Sequence, residues 1–478
     1  MPSSLWLRRC LHARKRRFLT TMVTLLTTCI VLQSLSTYNS RPVLKETYPP
    51  VRNFWEIQVR PSPTKDKSSN VRVPTMDYNC TPKTHLVFLK THKTGSSTIL
   101  NILYRYGEKN NLKFAFPNYR FNQLSYPRLF KAKMVYKYAN KSLPKLDIIC
   151  NHMRFNKSEV EKIMPADSFY FSILRHPATM LESIFSYYKS FSIFKTSKNL
   201  GDFFNDSLSN YSTAAFHNNY AHNNLAFDFG FNNTLTADSK DLEENVSKAI
   251  KSIEQNFHLI LINEHFDESI ILLKHALCWS LEEVVSFKLN SRTNKTRRSI
   301  SPETMEKVKL WNVLDWRLYQ HFNDTFWHKV DTVFGREEMK RQVSQLRELR
   351  AKKASECLKD GQAVNPSKIK DVMLKPFQYG QAVIEGYLLN PQLSNHSRDQ
   401  CLRLIMPELQ YTYYLYDQQV PKKSIKDKKL IKDKRLIKYK HNKPQQKDKH
   451  NKPQQKDKDN KPQQKEKDKP QQKVNRPA

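Results

Sequence analysis

Glycine is scarce in this chain, 8 in 478 residues. The places where the backbone can turn through a left-handed conformation without steric cost are therefore few, and each one is informative. The 7 cysteines include no C-x-x-C pair, which argues against a zinc site or a thioredoxin-like redox pair. Nowhere does the order G-x-x-x-x-G-K-[ST] occur, so a Walker A loop, and with it a kinase-like phosphotransferase, has no support. Acidic residues are also short: 45 Asp and Glu stand against 81 Lys and Arg, a formal +36. That excess is unevenly spread. From Lys422 onward 22 basic residues face 7 acidic ones, a net +15, and six more basic residues fall between Arg8 and Arg17. About +15 remains for the roughly 400 residues between, enough to attract a multiply charged nucleotide.

Charge is absent altogether from Phe18–Ser40. An uncharged span of that length can cross a bilayer, and the basic arm of residues 1–17 favours leaving the N-terminus in the cytosol. Its many threonines (Thr20, Thr21, Thr24, Thr27, Thr28) weaken its hydrophobicity. A cleaved signal peptide is thus the alternative to an uncleaved signal-anchor transmembrane helix over 18–40. Residues 41–77 are rich in Pro, Ser and Lys without a sustained period and read as a stem. One folded domain is expected over 78–420. Residues 421–478 repeat NKPQQKDKH with a period of nine and no apolar face; such a tail cannot offset the entropy of ordering and is expected to be disordered. N-x-[ST] patterns such as those at Asn79, Asn156 and Asn395 suit a luminal position beyond residue 40. In an oxidising lumen disulfides are plausible. Beyond the anchor lie Cys80, Cys150, Cys278, Cys357 and Cys401, an odd number. Cys150, in an apolar run, is expected to be a buried free thiol, and Cys357 to pair with Cys401. A luminal chain gives the basic tail no nucleic-acid partner.

The chemistry is concentrated in three segments. In HLVFLKTHKTGSST, residues 85–98, a continuous apolar run gives way to a turn and then to helical spacing at Ile99, Leu100, Leu103 and Tyr106, with Gly107 as a stop. Strand, polar loop and helix start make an anion cradle, to which Lys93 adds a full charge and Gly95 the tight turn. In DSFYFSILR, Asp167–Arg175, a second strand ends in an arginine, His176-Pro177 opens a helix, and Ser183 follows eight residues after Arg175. In DIICNHMRF, Asp147–Phe155, Ile148 to Cys150 read as a buried strand with His152 at its edge. Ligand groups gather at the carboxyl ends of strands in open α/β sheets, so these segments share a rim. There His152 is the natural general base. The runs at 85–89, 147–150, 169–174 and 258–262 argue for a parallel sheet with crossover helices. Further on, a helical stripe over Met305–Trp327 and a charged amphipathic helix over Glu337–Leu358 make the C-terminal half mostly helical.

The loop order Lys-Thr-Gly-Ser-Ser-Thr resembles the 5′-phosphosulfate loop of enzymes that use 3′-phosphoadenosine-5′-phosphosulfate (PAPS). Together FLKTHKTGSST, ICNHMRF, ILRHPATMLESIFSYY, INEHFDESIILL, LCWSLEEVVSFKLNSR and LYQHFNDTFW occur in the order found in galactose-3-O-sulfotransferases, the family that includes galactosylceramide sulfotransferase. The resemblance covers roughly residues 80–415. It implies an α/β fold, a P-loop-like parallel sheet flanked by helices, in a Golgi type II membrane enzyme. Such an enzyme moves sulfate from PAPS to the 3-hydroxyl of a β-linked galactose on a glycolipid or glycan. It implies donor-site residues at Lys93, Thr94, Gly95, Ser96, Ser97, Thr98, Arg175 and Ser183, catalytic roles for His152 and Lys93, and no metal. Glu264, Asp267 and Glu268 read as a solvated helix start, and His265 as structural. Two rivals stand beside this reading. A glycosaminoglycan sulfotransferase would want a basic stripe in the folded domain, and a catalytically silent glycan-binding protein would have no need of an intact Lys93, His152, Arg175 and Ser183.

Overall fold

The computed structural model describes residues 80–420 apart from 139–143, 209–210, 213–214 and 216. The expected cytosolic arm (1–17), the expected 18–40 anchor and 41–77 stem, and the expected 421–478 tail lie outside the described residues. Among the described residues no helix is long and apolar enough to cross a membrane.

Four short strands, β1 (Leu86–Leu89), β2 (Ile148–Ile149), β3 (Phe169–Leu174) and β4 (Leu259–Ile262), form an all-parallel sheet in the order β2-β1-β3-β4. Every residue in them is buried, as expected for a parallel sheet covered on both faces, where strands read as unbroken apolar runs. The expected α/β class holds, and all four anticipated runs contain strands.

Helices cover the sheet. α1 (Ser96–Lys109) follows β1 and α2 (Pro177–Tyr187) follows β3. α3 (Leu242–Asn256) precedes β4, and α4 (Phe266–Leu277) follows it. The C-terminal portion is largely helical: α5 (Pro302–Trp311), α6 (Val313–Val333), α7 (Arg336–Cys357), α8 (Asn395–Ile405) and α9 (Glu408–Gln419). Met339, Val343 and Leu346 form the buried side of α7, the amphipathic helix the sequence predicts.

Two expectations change. Gly107 does not stop α1, which continues to Lys109. A Cβ there would lie 2.3 Å from the Phe114 ring, so the glycine serves close packing. The single stripe over 305–327 is two helices, broken at Asn312. Here Asn312 Oδ1 accepts from the Asn223 N–H at 2.8 Å, while Asn223 Oδ1 accepts from the N–H groups of Leu314 and Asp315 at 3.1 and 3.3 Å. The break satisfies helix-end donors that would otherwise be buried without partners.

Disulfides Cys80–Cys278 and Cys357–Cys401 tie the start of the described chain to the end of α4, and α7 to α8. Cys150 is the buried free thiol, its pKa raised far above the ordinary thiol range by burial.

Candidate active site

The exits of β1, β2, β3 and β4 deliver Lys90–Gly95, Cys150–His152, Arg175 and Asn263 to one rim. There a cleft of about 1480 Å³ opens, lined by eight lysine and arginine side chains and two glutamates. Its volume exceeds the usual small-molecule pocket of roughly 300–1,000 Å³, leaving room for a nucleotide and a second substrate.

The loop after β1 is held from within. Thr91 Oγ1 donates to the Ile173 carbonyl at 2.6 Å and is 2.8 Å from Thr94 Oγ1, and Ser96 Oγ donates to the Thr91 carbonyl at 2.7 Å. Lys93 and Gly95 both take left-handed backbone conformations, φ +58° and +79°. A Cβ on Gly95 would lie 2.6 Å from Asn263 Oδ1, so glycine answers both the turn and the approach of β4. Gly95 gives α1 no side-chain cap, and no acidic residue sits in the first turn. The helix start is left electropositive beside the cleft.

Of the residues singled out from sequence, Lys93, Gly95, Ser96, Ser97, Thr98, His152, Arg175 and Ser183 all line this cleft. Thr94 does not; its buried hydroxyl is spent on Thr91. Arg175 donates from Nη1 to the Lys93 carbonyl and from Nε to Thr179 Oγ1, each at 3.0 Å. Arg292 is held in place by buried Glu182, one position before Ser183. Burial, then Arg292, Arg175 and Lys90, press the Lys93 ammonium down from 10.5 to about 7. Its Nζ lies 3.7 Å from the centroid of the Tyr187 ring. Four cations crowd into partly desolvated space, an arrangement that a bound polyanion would relieve.

Beside the loop lie two stacked imidazoles, His92 and His152, 4.0 Å apart at their centroids. His152 Nδ1 donates to the Lys90 carbonyl at 2.8 Å, and its Nε2 accepts from Lys90 Nζ at 2.8 Å. Burial, with His92 and the Lys90 ammonium beside it, keeps His152 neutral, its pKa well below the ordinary imidazole value. Lys90 also pairs with Glu408 at 3.2 Å. That carboxylate accepts from Ser97 Oγ at 2.6 Å and Asn122 Nδ2 at 2.9 Å. Burial works against the Glu408 charge, yet Lys90 and these hydrogen bonds keep its pKa below the usual carboxylate value.

His92 differs. Its Nδ1 donates to the Asp228 carboxylate at 3.0 Å, and Asp228 also receives the His92 backbone N–H at 2.9 Å and the Tyr126 hydroxyl at 2.8 Å. His92 Nε2 is buried without a hydrogen-bond partner, and the residue lines the cleft. A carboxylate-oriented imidazole with one free nitrogen is the arrangement of a general base. Sequence reading missed it because His92 looks like one more loop residue and Asp228 lies 136 positions away. Lys90, Glu408, Glu182 and Arg292 went unassigned for the same reason: their partners are distant in the chain.

Asp267 pairs with Arg347 and Arg350 at 2.8 and 2.7 Å and Glu264 accepts the His176 N–H, so neither is merely solvated. His265 stacks on Phe326 and meets Trp327 edge-on, a structural role. Among the described residues no group of three or more His, Cys, Asp or Glu side chains could hold a metal ion.

A parallel α/β sheet whose first strand feeds a polar loop, a helix start and a cationic cleft is the class of fold and site that suits an anionic ligand. Residues 7–419 match the family model for galactose-3-O-sulfotransferase, and the chain belongs to that family of carbohydrate sulfotransferases. Human galactose-3-O-sulfotransferase 2 is 44% identical over 349 residues, covering 72% of this chain and 86% of that protein. Human galactosylceramide sulfotransferase is 39% identical over 354 residues, 73% of this chain and 82% of its own length. Human galactose-3-O-sulfotransferase 4 is 34% identical over 415 residues, covering 72% and 84%.

Proposed function

We propose that this chain transfers the sulfuryl group of PAPS to the 3-hydroxyl of a β-linked galactose, on a glycolipid or a glycan, at the luminal face of the Golgi membrane. The observation that carries the reading is the convergence of the 93–98 loop, Arg175 with Ser183, and a free imidazole nitrogen on one cationic cleft. The loop N–H groups and Lys93 would hold the 5′-phosphosulfate, and Arg175, Ser183 and Arg292 the 3′-phosphate. The donor supplies an activated sulfuryl group. During in-line attack by galactose O3, Lys93 stabilises charge on the phosphate oxygen released as its bond to sulfur breaks. The hydroxyl proton passes to an imidazole.

Both histidines face that task. The sequence favours His152, whose Nε2 lone pair is engaged by Lys90. The hydrogen bonding favours His92, whose Nε2 is free and whose ring is oriented by Asp228, with His152 packed against it. Two disulfides agree with an oxidising lumen; the anchor over 18–40 is part of this proposal.

The test is a radiolabelled-PAPS assay with the full chain and a panel of β-galactosides, followed by location of the sulfate on the ring. Label at position 3 is expected; a folded protein that transfers none to any β-galactoside overturns the reading. His92→Ala should reduce turnover on the order of 10²–10⁴-fold with donor binding retained. If only His152→Ala does so, the base is His152.

A further inference from the structure

A loop at the mouth of the cleft carries side chains that folding leaves uncovered. In residues 368–377, Ile369, Leu374 and Pro376 are buried, whereas Val372 is 76% exposed, Phe377 47% and Met373 39%. Lys368 and Lys370 precede Val372 and Lys375 follows Leu374, all three exposed, as is Asp371. The loop is pinned. Gln410 Nε2 of α9 donates to the carbonyls of Val372 and Lys375 at 3.1 and 2.7 Å, and the Met373 N–H donates to Asp371 Oδ1 at 2.8 Å. Inward residues fix the backbone, and the apolar side chains are held outward. Phe377 and Pro376 line the cleft, as does Phe121 from a second loop. That loop bears Tyr119, 68% exposed, and Phe121, 47% exposed. It is fastened to the same helix by the Arg120–Asp417 and Asn122–Glu408 contacts.

Exposed apolar side chains grouped on a rigid loop mark an interaction surface. Flanking lysines tell which kind: apolar and aromatic groups that enter the headgroup boundary, bordered by cations that meet anionic headgroups, are the pattern of an interfacial membrane contact. Tyrosine and other aromatic groups suit the same depth. A protein partner would not require lysines at this spacing around the apolar tip, and a free soluble glycan would gain nothing from Val372 or Met373.

We propose that the 368–377 loop, seconded by Tyr119 and Phe121, docks on an anionic lipid bilayer and so presents the cleft to galactose headgroups of glycolipids in that surface. The proposal rests on the sulfotransferase reading and narrows it to membrane-embedded acceptors. Docking exchanges water for lipid at the loop tip and leaves the cleft, behind Phe377, to receive a sugar standing above the membrane plane.

The experiment compares two acceptors for the full chain in detergent-diluted form: galactosylceramide in phosphatidylserine-containing vesicles, and a water-soluble β-galactoside. Val372→Asp with Met373→Asp should lower kcat/KM on the vesicle acceptor at least tenfold and leave the soluble acceptor within twofold. Lys370→Glu with Lys375→Glu, confined to exposed positions, should do the same and should abolish the gain in rate as phosphatidylserine content rises. Equal rates of variants and wild type on both acceptors, or parallel losses on both, overturn the proposal. Transfer to neither acceptor by wild type would instead strike the sulfotransferase reading. Hydrogen exchange then decides the loop by itself: amides of 370–378 protected in phosphatidylserine nanodiscs relative to neutral ones support docking, and unchanged exchange refutes it.

Discussion

Lys93 titrates where a lysine ordinarily does not, and in the proposed donor site this makes nucleotide binding pH-dependent in a way that can be measured. Its pKa of about 7 comes from burial first and from Arg292, Arg175 and Lys90 next. A dianionic phosphate placed among these groups reverses the balance and raises that pKa, so binding takes up a proton wherever the free enzyme has lost it. With a free-state pKa of about 7, the protonated fraction falls from about nine-tenths at pH 6 to about one-tenth at pH 8. Between pH 7 and 8, where the ligand phosphates are largely ionised, that fraction falls from about one-half to about one-tenth, so affinity for adenosine 3′,5′-bisphosphate should weaken about fivefold, with about 0.9 proton taken up per ligand at pH 8. The sign for stability is opposite. Between pH 7 and 10.5 the unfolded chain holds a proton that the folded free enzyme has released, so raising the pH stabilises the unliganded protein. Calorimetry at pH 8 in two buffers of different ionisation enthalpy reads the proton directly. At that pH the phosphates, whose second pKa is about 6, are fully ionised and do not contribute. Lys93→Met should bind more weakly at pH 6 and show neither the slope nor the uptake. Wild-type binding at pH 8 without proton uptake, or uptake that survives in Lys93→Met, would refute the electrostatic account of the cradle.

Gly95→Ala should reduce donor affinity and lower stability by about 1–2 kcal/mol, since the new Cβ adds left-handed strain and meets Asn263; thermal unfolding and bisphosphate binding check both. Asp315, whose carboxylate caps Leu225 and Ala226 at 2.9 Å each, has a pKa raised by burial to about 7. The folded state thus holds an extra proton between about pH 4 and 7, and this group costs stability as pH rises through that range. The difference in unfolding free energy between wild type and Asp315→Asn should shrink over the same range, as denaturant titrations at pH 4.5 and 7 would show. Replacing Cys80 and Cys278 with serine opens a link across 198 positions and should cost about 2–5 kcal/mol, read by denaturant titration of the oxidised parent and the variant.

The sheet was legible because its strands are buried on both faces, which leaves apolar runs in the sequence such as LVFL and FYFSIL, the latter interrupted only by Ser172. The rim followed from topology: once β1, β2 and β3 are parallel, Lys93, His152 and Arg175 must exit on the same side. What stayed hidden depends on contacts between distant segments. The stripe over 305–327 carries no proline or glycine to mark its break, which is stabilised by Asn223 from 89 residues upstream. Glu408 sits at the start of the last helix and reaches Ser97 across 311 positions.

The two histidines show where a one-dimensional reading stops. Chain position determines which rim a side chain reaches, and both rings reach it. Their chemistry depends on which nitrogen is free, and that is decided by hydrogen bonds from elsewhere. Lys90 occupies both nitrogens of His152, one with its carbonyl and one with its ammonium, whereas Asp228 takes a single nitrogen of His92. Asp228 in turn ends the short helix Asn224–Asp228, whose first N–H groups rest on Asp315, while the N–H groups that open α6 rest on Asn223. Two helix starts cap each other, and the carboxylate that orients His92 hangs from that joint. The proposed base therefore depends on α6, far from the 93–98 loop in sequence. Loosening the joint should therefore lower turnover before it lowers donor affinity, a split that sequence motifs around residues 90–98 give no means of foreseeing.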